Sequence, residues 1–595
     1  MHEITGLVVR LNNGVQLSRR TLLRASIVGA GIAAASPLLA ACGGGSNSTS
    51  TSSSSTSATT SSSTAAAASG SPAATSSSAA ATSSSSAGTP VAGGDVTVGV
   101  STTYIDVLDP NVTAQTVSHE IMGPIFDTLL VQDRDNKQFF PALSSKWDIS
   151  PDGKTVTFTL NDGIKFHDGT AFNADAVKSN LDRAAAPETK SRLAGPRLSG
   201  FYDSATVVDP LTVKIAFKQP NGSFLTDCSQ DFMAMLSPAA VQKYGPDQIG
   251  QHPVGTGPFT FVEWVQNSHI KLQQNPDYNW ASPMFKRKGP AYLKTLTFQI
   301  IPDDSARVAA LESGQINYND TVPTINFTSL KSNKKYTTRS IEQPGIPYAY
   351  MINTKRAPTD DIAVRQAINY GVDKKAIIQT LYQDLFTPAY GPLSPVSFAY
   401  NPAVEKMYPF DAAKAKQILD AAGWKPGSDG IRVKDGKRCE IAHYTFTDAK
   451  VATVMQAQLK QIGIQSNVTL LDVGAVNEAA TRGEVTNLAP LPYRDADPAV
   501  LSVALSIKNE GKGFAWTFHK DQQLDDELTA GQASLDPAVR QQHYMKAQEL
   551  AMTDALLIPI YNSYGLSAAA TDIQDVNYDV KGVDVWWYNV WIKKS

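Results

Sequence analysis

Residues 43–94 set the first limit on what this chain can fold into: these 52 positions are almost all Ser, Thr, Ala and Gly, and none is charged. Such a segment buries too little apolar surface to offset the entropy of ordering its backbone, so it is expected to be disordered. As a flexible coil it would span about 40 Å r.m.s., at about 5–6 Å × √n. Folding is therefore confined to a body that begins near Asp95. That body, about 500 residues long, exceeds the size at which a single hydrophobic core stops growing, so at least two lobes are expected.

Ahead of the linker, Arg19 and Arg20 precede a weakly apolar run that ends in Leu39-Ala40-Ala41-Cys42. Residues 25–41 include Pro37 and fall short of the about 20 apolar residues that span a bilayer. A charged start, an apolar middle and small residues at the end make a secretory signal. Ser18-Arg19-Arg20-Thr21-Leu22-Leu23 resembles the twin-arginine export motif, and Leu39-Ala40-Ala41-Cys42 resembles a bacterial lipobox. By that resemblance residues 1–41 are a cleaved signal peptide and Cys42 carries a diacylglycerol. The protein is then extracytoplasmic, lipid-anchored to the outer face of the cell membrane or periplasmic. Residues 42–94 would lift the body off that membrane.

The leader holds four Arg and one Glu of the chain's 52 Lys and Arg and 55 Asp and Glu, which leaves a net charge of −6 on the rest. A mildly acidic body without a Lys/Arg run argues against nucleic acid or an anionic lipid surface as partner. There is no second apolar stretch of membrane-spanning length, so the chain does not read as a permease. Cys228 and Cys439 either form a bridge, which requires Cα atoms within about 7 Å, or stand as two separate buried small hydrophobes, the reading favoured here.

Along the body, strand-like and helix-like segments alternate, as in an α/β protein. Residues 145–150 and 155–160 flank Pro151-Asp152-Gly153, where Pro presets φ and Gly supplies a positive φ, so a hairpin is expected. Residues 155–160 and 211–217 alternate with period two. Asp303 and Asp304 offer a cap to a helix that ends at Gly314; residues 411–422 close at Gly423 and 450–462 at Gly463. A strand over 465–470, a long helix over 536–553 and an apolar run over 555–561 follow.

Several of these segments together resemble the peptide/nickel-class solute-binding proteins of ABC importers, extracellular solute-binding family 5. The resemblance runs through Leu108-Asp109-Pro110, Pro141-Ala142-Leu143-Ser144-Ser145-Lys146-Trp147, Ser150-Pro151-Asp152-Gly153-Lys154 and Phe166-His167-Asp168-Gly169-Thr170. It continues through Pro253-Val254-Gly255-Thr256-Gly257-Pro258-Phe259, Asn275-Pro276-Asp277-Tyr278 and Leu311-Glu312-Ser313-Gly314. Val364-Arg365-Gln366-Ala367-Ile368, Ala421-Ala422-Gly423-Trp424 and Leu459-Lys460-Gln461-Ile462-Gly463-Ile464 complete it, in family order.

The resemblance implies an α/β, two-lobed periplasmic-binding-protein-like fold (type II, large cluster C type) with a hinge and an interlobe cleft. Lobe I is expected over 95–345 with a C-terminal return over 557–595, and lobe II over 346–556. The implied role is that of a monomeric receptor, not an enzyme and without cofactor, which closes on a peptide or similar zwitterionic solute and docks on ABC permease subunits. Oligosaccharide, opine or chelated nickel are alternative ligands on the same scaffold, and an extracytoplasmic hydrolase or chaperone is the rival class.

For the ligand, Pro492-Tyr493-Arg494-Asp495-Ala496-Asp497-Pro498 is the most informative stretch. In peptide-binding relatives the Asp matching Asp495 receives the ligand's α-ammonium, although the gap to Asp497-Pro498 is one residue shorter here. Arg494 either seats a ligand carboxylate bidentately or pairs internally with Asp495 or Asp497. Tyr493 is a candidate stacking wall, Tyr104 a first-loop contact, Tyr350 and Asn353 the floor, and Phe514 and Trp516 a cap. Trp147, Tyr278 and Trp280 read as packing residues.

Other chemistries find no support in the sequence. Gly255-Thr256-Gly257 lacks the third glycine of a dinucleotide site, and no phosphate-binding P-loop or G-x-S-x-G elbow occurs. His119-Glu120 begins like a zincin motif, but position 123 is Gly where a second His is needed, so no metal site is expected.

Overall fold

A computed structural model describes residues 89–594 except 102–104, 136, 447–448 and 512. The signal segment, Cys42, nearly all of the linker and Tyr104 lie outside the described residues.

Two large sheets organise the body. The first runs, edge to edge, Tyr336–Glu342, Tyr564–Ala570, Tyr318–Asn319, Asp95–Val100, Thr295–Ile300, His269–Gln274 and Phe259–Val265. Asp95–Val100 lies parallel to Thr295–Ile300, Asp95 opposite Thr295, and its Val96, Val98 and Val100 are fully buried. The second sheet runs Gln465–Leu471, Glu440–Phe446, Leu488–Pro490, Tyr348–Ile352 and Leu557–Tyr561. A smaller four-stranded antiparallel sheet runs Ser144–Ile149, Thr155–Leu160, Thr212–Phe217 and Tyr202–Asp209.

The local signals read from the sequence appear in these elements. Gly153 sits at φ 67° in the turn between Ser144–Ile149 and Thr155–Leu160. Asp303 caps the helix Asp304–Ser313 by accepting the Ala306 N–H at 2.8 Å, and Gly314 ends it at φ 78°. Asp411 caps Ala412–Ala421, while Gly423 and Gly463 take φ 87° and 88° after their helices. The apolar run after the long helix Pro537–Thr553 becomes the edge strand Leu557–Tyr561. That strand pairs with Tyr348–Ile352 in the five-stranded sheet, and the chain joins the seven-stranded sheet only at Tyr564–Ala570. Cys228 and Cys439 are separate buried thiols.

Three cores match this layout. One packs Val98, Phe298, Leu272 and Trp587 under the seven-stranded sheet. Another gathers Ile352, Ile441, Met455 and Ile558 around the five-stranded sheet. The third joins the four-stranded sheet (Phe158, Ile215) and the neighbouring Phe224 to residues of the second half of the chain, including Leu501, Trp516 and Tyr544.

His443 is fully buried in the strand Glu440–Phe446, with its ring edge-on to Tyr350 at 4.5 Å and Nδ1 3.0 Å from Ser466 Oγ. Burial pushes its pKa down from 6.5 to about 3. The ring is thus neutral in the fold and takes up a proton on unfolding below pH 6.5, so its contribution is complete above that pH and lost as pH falls toward 3. Replacing His443 by Gln should therefore shift the unfolding free energy in the variant's favour as pH falls below 6.5, by up to about 1.4 kcal/mol per pH unit relative to wild type. Urea denaturation of both proteins between pH 7 and about pH 5 checks this.

Candidate functional site

Between the two large sheets lies a cavity of about 430 Å³, lined from both of them. That size falls within the range of about 300–1,000 Å³ typical of small-molecule sites. One wall is aromatic, and strand register builds it: Tyr348 stands opposite Tyr561 in the antiparallel pair, so their rings stack at 4.7 Å and 7°. Phe386 stacks on Tyr561 at 5.1 Å and on Tyr564 at 5.7 Å, and Tyr382 meets Tyr561 edge-on at 4.9 Å. These five rings are half-buried and all line the cavity.

Arg494 enters from the two-residue strand Tyr493–Arg494, which pairs with Gly345–Ile346. Gly345 takes φ 103°, and a Cβ there would meet the Tyr493 carbonyl oxygen at 2.3 Å, so only glycine lets the strands come this close. Arg494 Nε donates to Gln343 Oε1 at 2.7 Å, and no carboxylate of the described residues forms an ion pair with the guanidinium. The internal pairing with Asp495 or Asp497 is thus not what the geometry shows. Burial pulls the Arg494 pKa down, opposed by Tyr561, Tyr493 and Asp584.

Asp495 lies elsewhere. Its carboxylate is buried, accepts from Arg197, from Gln230 Nε2 at 3.1 Å and from the Asp497 N–H at 2.9 Å, and does not line the cavity. Arg197 also reaches Asp227 at 3.1 Å, and Asp497 is held bidentately by Arg540 at 2.7 and 2.9 Å. Burial beside Asp495 and Asp497 raises the Asp227 pKa to about 7, even though Arg197 opposes the shift.

The other residues singled out from the sequence are spread through the cores. Tyr493, Phe514 and Trp516 form their own ring cluster, with Tyr493–Phe514 and Phe514–Trp516 centroids each 5.4 Å apart. Trp516 Nε1 donates to Thr481 Oγ1 at 3.1 Å. Tyr350 is fully buried behind the aromatic wall, its hydroxyl 3.3 Å from those of Tyr348 and Thr445. Asn353 ties loops together through Nδ2 to the Gly483 and Thr486 carbonyls at 2.8 and 3.1 Å. Trp147 packs against the core under the four-stranded sheet, and Trp280 Nε1 donates to Asp127 Oδ2 at 3.2 Å. Among the described residues, His519, Asp521 and Asp554 bring ligand atoms within 4.8 Å of one another. His519 Nε2 is spent on Asp554 at 3.0 Å, and Asp521 Oδ1 caps the Gln523 N–H at 2.8 Å.

The cavity holds residues that the sequence did not flag. Asp320, Gln343 and the five wall rings come from distant segments and lie in no motif, and Glu120 stood out only beside His119 as the start of an incomplete metal motif.

Two sheet-based halves around a lined cavity are the architecture of a two-lobed binding protein, a substrate-binding receptor. Residues 138–489 match the family model described as "Bacterial extracellular solute-binding proteins, family 5 Middle". The glutathione-binding protein GsiB of Pectobacterium atrosepticum is 33% identical over 473 residues, 78% of this chain and 88% of that protein. The fold superposes on Helicobacter pylori DppA, an ABC transporter-associated periplasmic binding protein solved with the peptide STSA, with a TM-score of 0.75 at 25% identity, covering 85% of this chain and 99% of that one. A dipeptide-binding protein from Pseudoalteromonas sp. SM9913 in complex with Met-Leu shares the fold at a TM-score of 0.74 and 23% identity, covering 84% of this chain and all of that one. The chain belongs to family 5 of the bacterial extracellular solute-binding proteins. No helix of the described residues is long and apolar enough to cross a membrane.

The Arg197 cluster makes Asp495 a structural residue with a measurable signature. Asp495→Asn should lower the unfolding free energy by about 3–5 kcal/mol, the usual cost of breaking a buried ion pair, as read by urea denaturation.

Proposed function

We propose that this protein is the receptor subunit of an ABC importer and captures a short peptide or similar zwitterionic solute in the cavity between its sheets. The observation that carries this reading is Arg494, a guanidinium lining the cavity with Gln343 as partner and no carboxylate of the described residues paired to it. A planar, always-charged fork in a partly dry site selects a ligand carboxylate. The glutathione- and peptide-binding relatives support the same ligand class, and a tripeptide such as glutathione suits a cavity of about 430 Å³.

The lobes proposed are residues 95–345 with the C-terminal return, and 346–556 extended through the strand ending at Tyr561. A ligand that touches both favours the closed state by its differential affinity. The receptor then returns its ligand unchanged to the permease, acting as a monomer and not as an enzyme. Cys42, lipidated after export through the twin-arginine route, would tether the body near that permease and raise its effective concentration there.

The aromatic wall supports a second reading, an oligosaccharide stacking its flat faces on Tyr348, Phe386 and Tyr564. Native mass spectrometry of the gently purified protein separates the two: a ladder of peptide masses sustains the first reading, and a sugar mass overturns it. Arg494→Gln should weaken peptide binding by about 2–5 kcal/mol in titration calorimetry with the melting temperature unchanged. Unaltered affinity would remove Arg494 from the site. In cells, Cys42→Ala should move the protein from the membrane to the soluble fraction on fractionation.

A further inference from the structure

We infer that Glu120 and Asp320 form the subsite that receives the ligand's ammonium group. The inference rests on reading the cavity as the ligand site and assigns the cationic end, which Asp495 does not serve. Both residues line the cavity on the side of the seven-stranded sheet: Glu120 on the helix Thr116–Met122, Asp320 just after the strand Tyr318–Asn319.

Neither carboxylate is fully satisfied by the described residues, although Asp320 accepts from Thr321 and from the Ser101 N–H. Glu120 is 6% exposed, and its side chain has no hydrogen-bond or ion-pair partner among the described residues. The Asp320 side chain is 7% exposed, and its Oδ1 is buried without a hydrogen-bond donor. The nearest cation, Arg307 Nε, stops 4.0 Å short of that oxygen. It cannot come closer without loss, because Arg307 is already spread over Asn319 Oδ1 (3.1 Å), the Ile301 and Thr321 carbonyls (2.7 and 2.9 Å) and Asp304 (2.6 Å). Asp584 adds negative potential near Glu120 but is itself paired with Lys581 at 3.1 Å.

Burying a carboxylate without a partner is costly, so Glu120 beside Asp320, whose Oδ1 lacks a donor, points to a cation that arrives from outside. Burial, together with Asp320 and Asp584, holds the Glu120 pKa well above the usual range, as expected for a site that stores a proton until a better cation displaces it. The aromatic wall favours the same occupant, since ring faces attract ammonium groups. With Arg494 in the same cavity, the lining complements both ends of a zwitterion.

Titration calorimetry on the full mature chain with glutathione and N-acetylglutathione tests the assignment. Wild type should bind the acetylated compound about 30-fold more weakly, a typical penalty for leaving a buried charge unpaired. Glu120→Gln and Asp320→Asn should each bind both compounds at similar, weaker affinity, while melting no lower than wild type. If either variant keeps the full preference for the free amine, the assignment is overturned for that residue. If wild type binds neither compound, the glutathione-like reading fails. The subsite is then decided by thermal-shift screening of amino acids and opines beside their amine-lacking analogues. Stabilisation confined to amine-bearing compounds and lost in Glu120→Gln sustains it, and equal stabilisation by the amine-lacking acids overturns it.

Discussion

One buried guanidinium fixes the geometry on which the rest depends. Arg197, on the short helix Ala194–Leu198, is 2% exposed and shared by Asp227, on the helix Phe224–Asp227, and Asp495 of the second half of the chain. Charges this deep are tolerated only when each has its counter-charge and hydrogen bonds, and the cluster supplies them through Gln230, Arg540 and the backbone of Asp497. The same residues hold the turn from which Arg494 projects. Asp495 N–H also donates to the Pro344 carbonyl at 3.1 Å, so the ion cluster, the strand Tyr493–Arg494 and its partner Gly345–Ile346 form one rigid unit. A cavity-lining cation can stay free of carboxylates here because the neighbouring acids are already committed elsewhere.

This division of labour separates three acids and two bases that look interchangeable in sequence. Arg197 is paired with two carboxylates, and Arg494 keeps part of its fork free. Asp495 is consumed, Glu120 has no partner among the described residues, and Asp320 keeps one oxygen without a donor. The difference comes from which elements reach the space between the sheets, and residue type alone does not reveal it.

Much of the fold was legible because its signals are local. The cap at Asp303, the stop at Gly314 and the hairpin at Pro151-Asp152-Gly153 each depend on residues within a few positions of one another. The site was largely illegible because its contacts are remote. Asp495 meets Arg197 across 298 positions, so nothing near Pro492-Tyr493-Arg494-Asp495 betrays that its carboxylate is occupied. Glu120 appeared only as part of an incomplete metal motif, and Asp320 lies 200 positions away from it. Arg494 was visible because a conspicuous positive charge stood beside the family's aspartates. Whether it paired internally could be settled only in three dimensions.

The connections between the two large sheets have a mechanical consequence. The outgoing and returning segments lie side by side: the Gln343 N–H donates to the Ser563 carbonyl at 3.0 Å. Two ropes fastened next to each other leave one easy rotation and resist the others, as a door does on closely set pins. Gln343 is also the residue that accepts from Arg494. A carboxylate gripped by that guanidinium would sit almost on the pin, where a swing displaces it least. The same swing would carry the far rims of the sheets through their widest arc, so a ligand anchored at the pivot could govern the shape of the surface the permease meets.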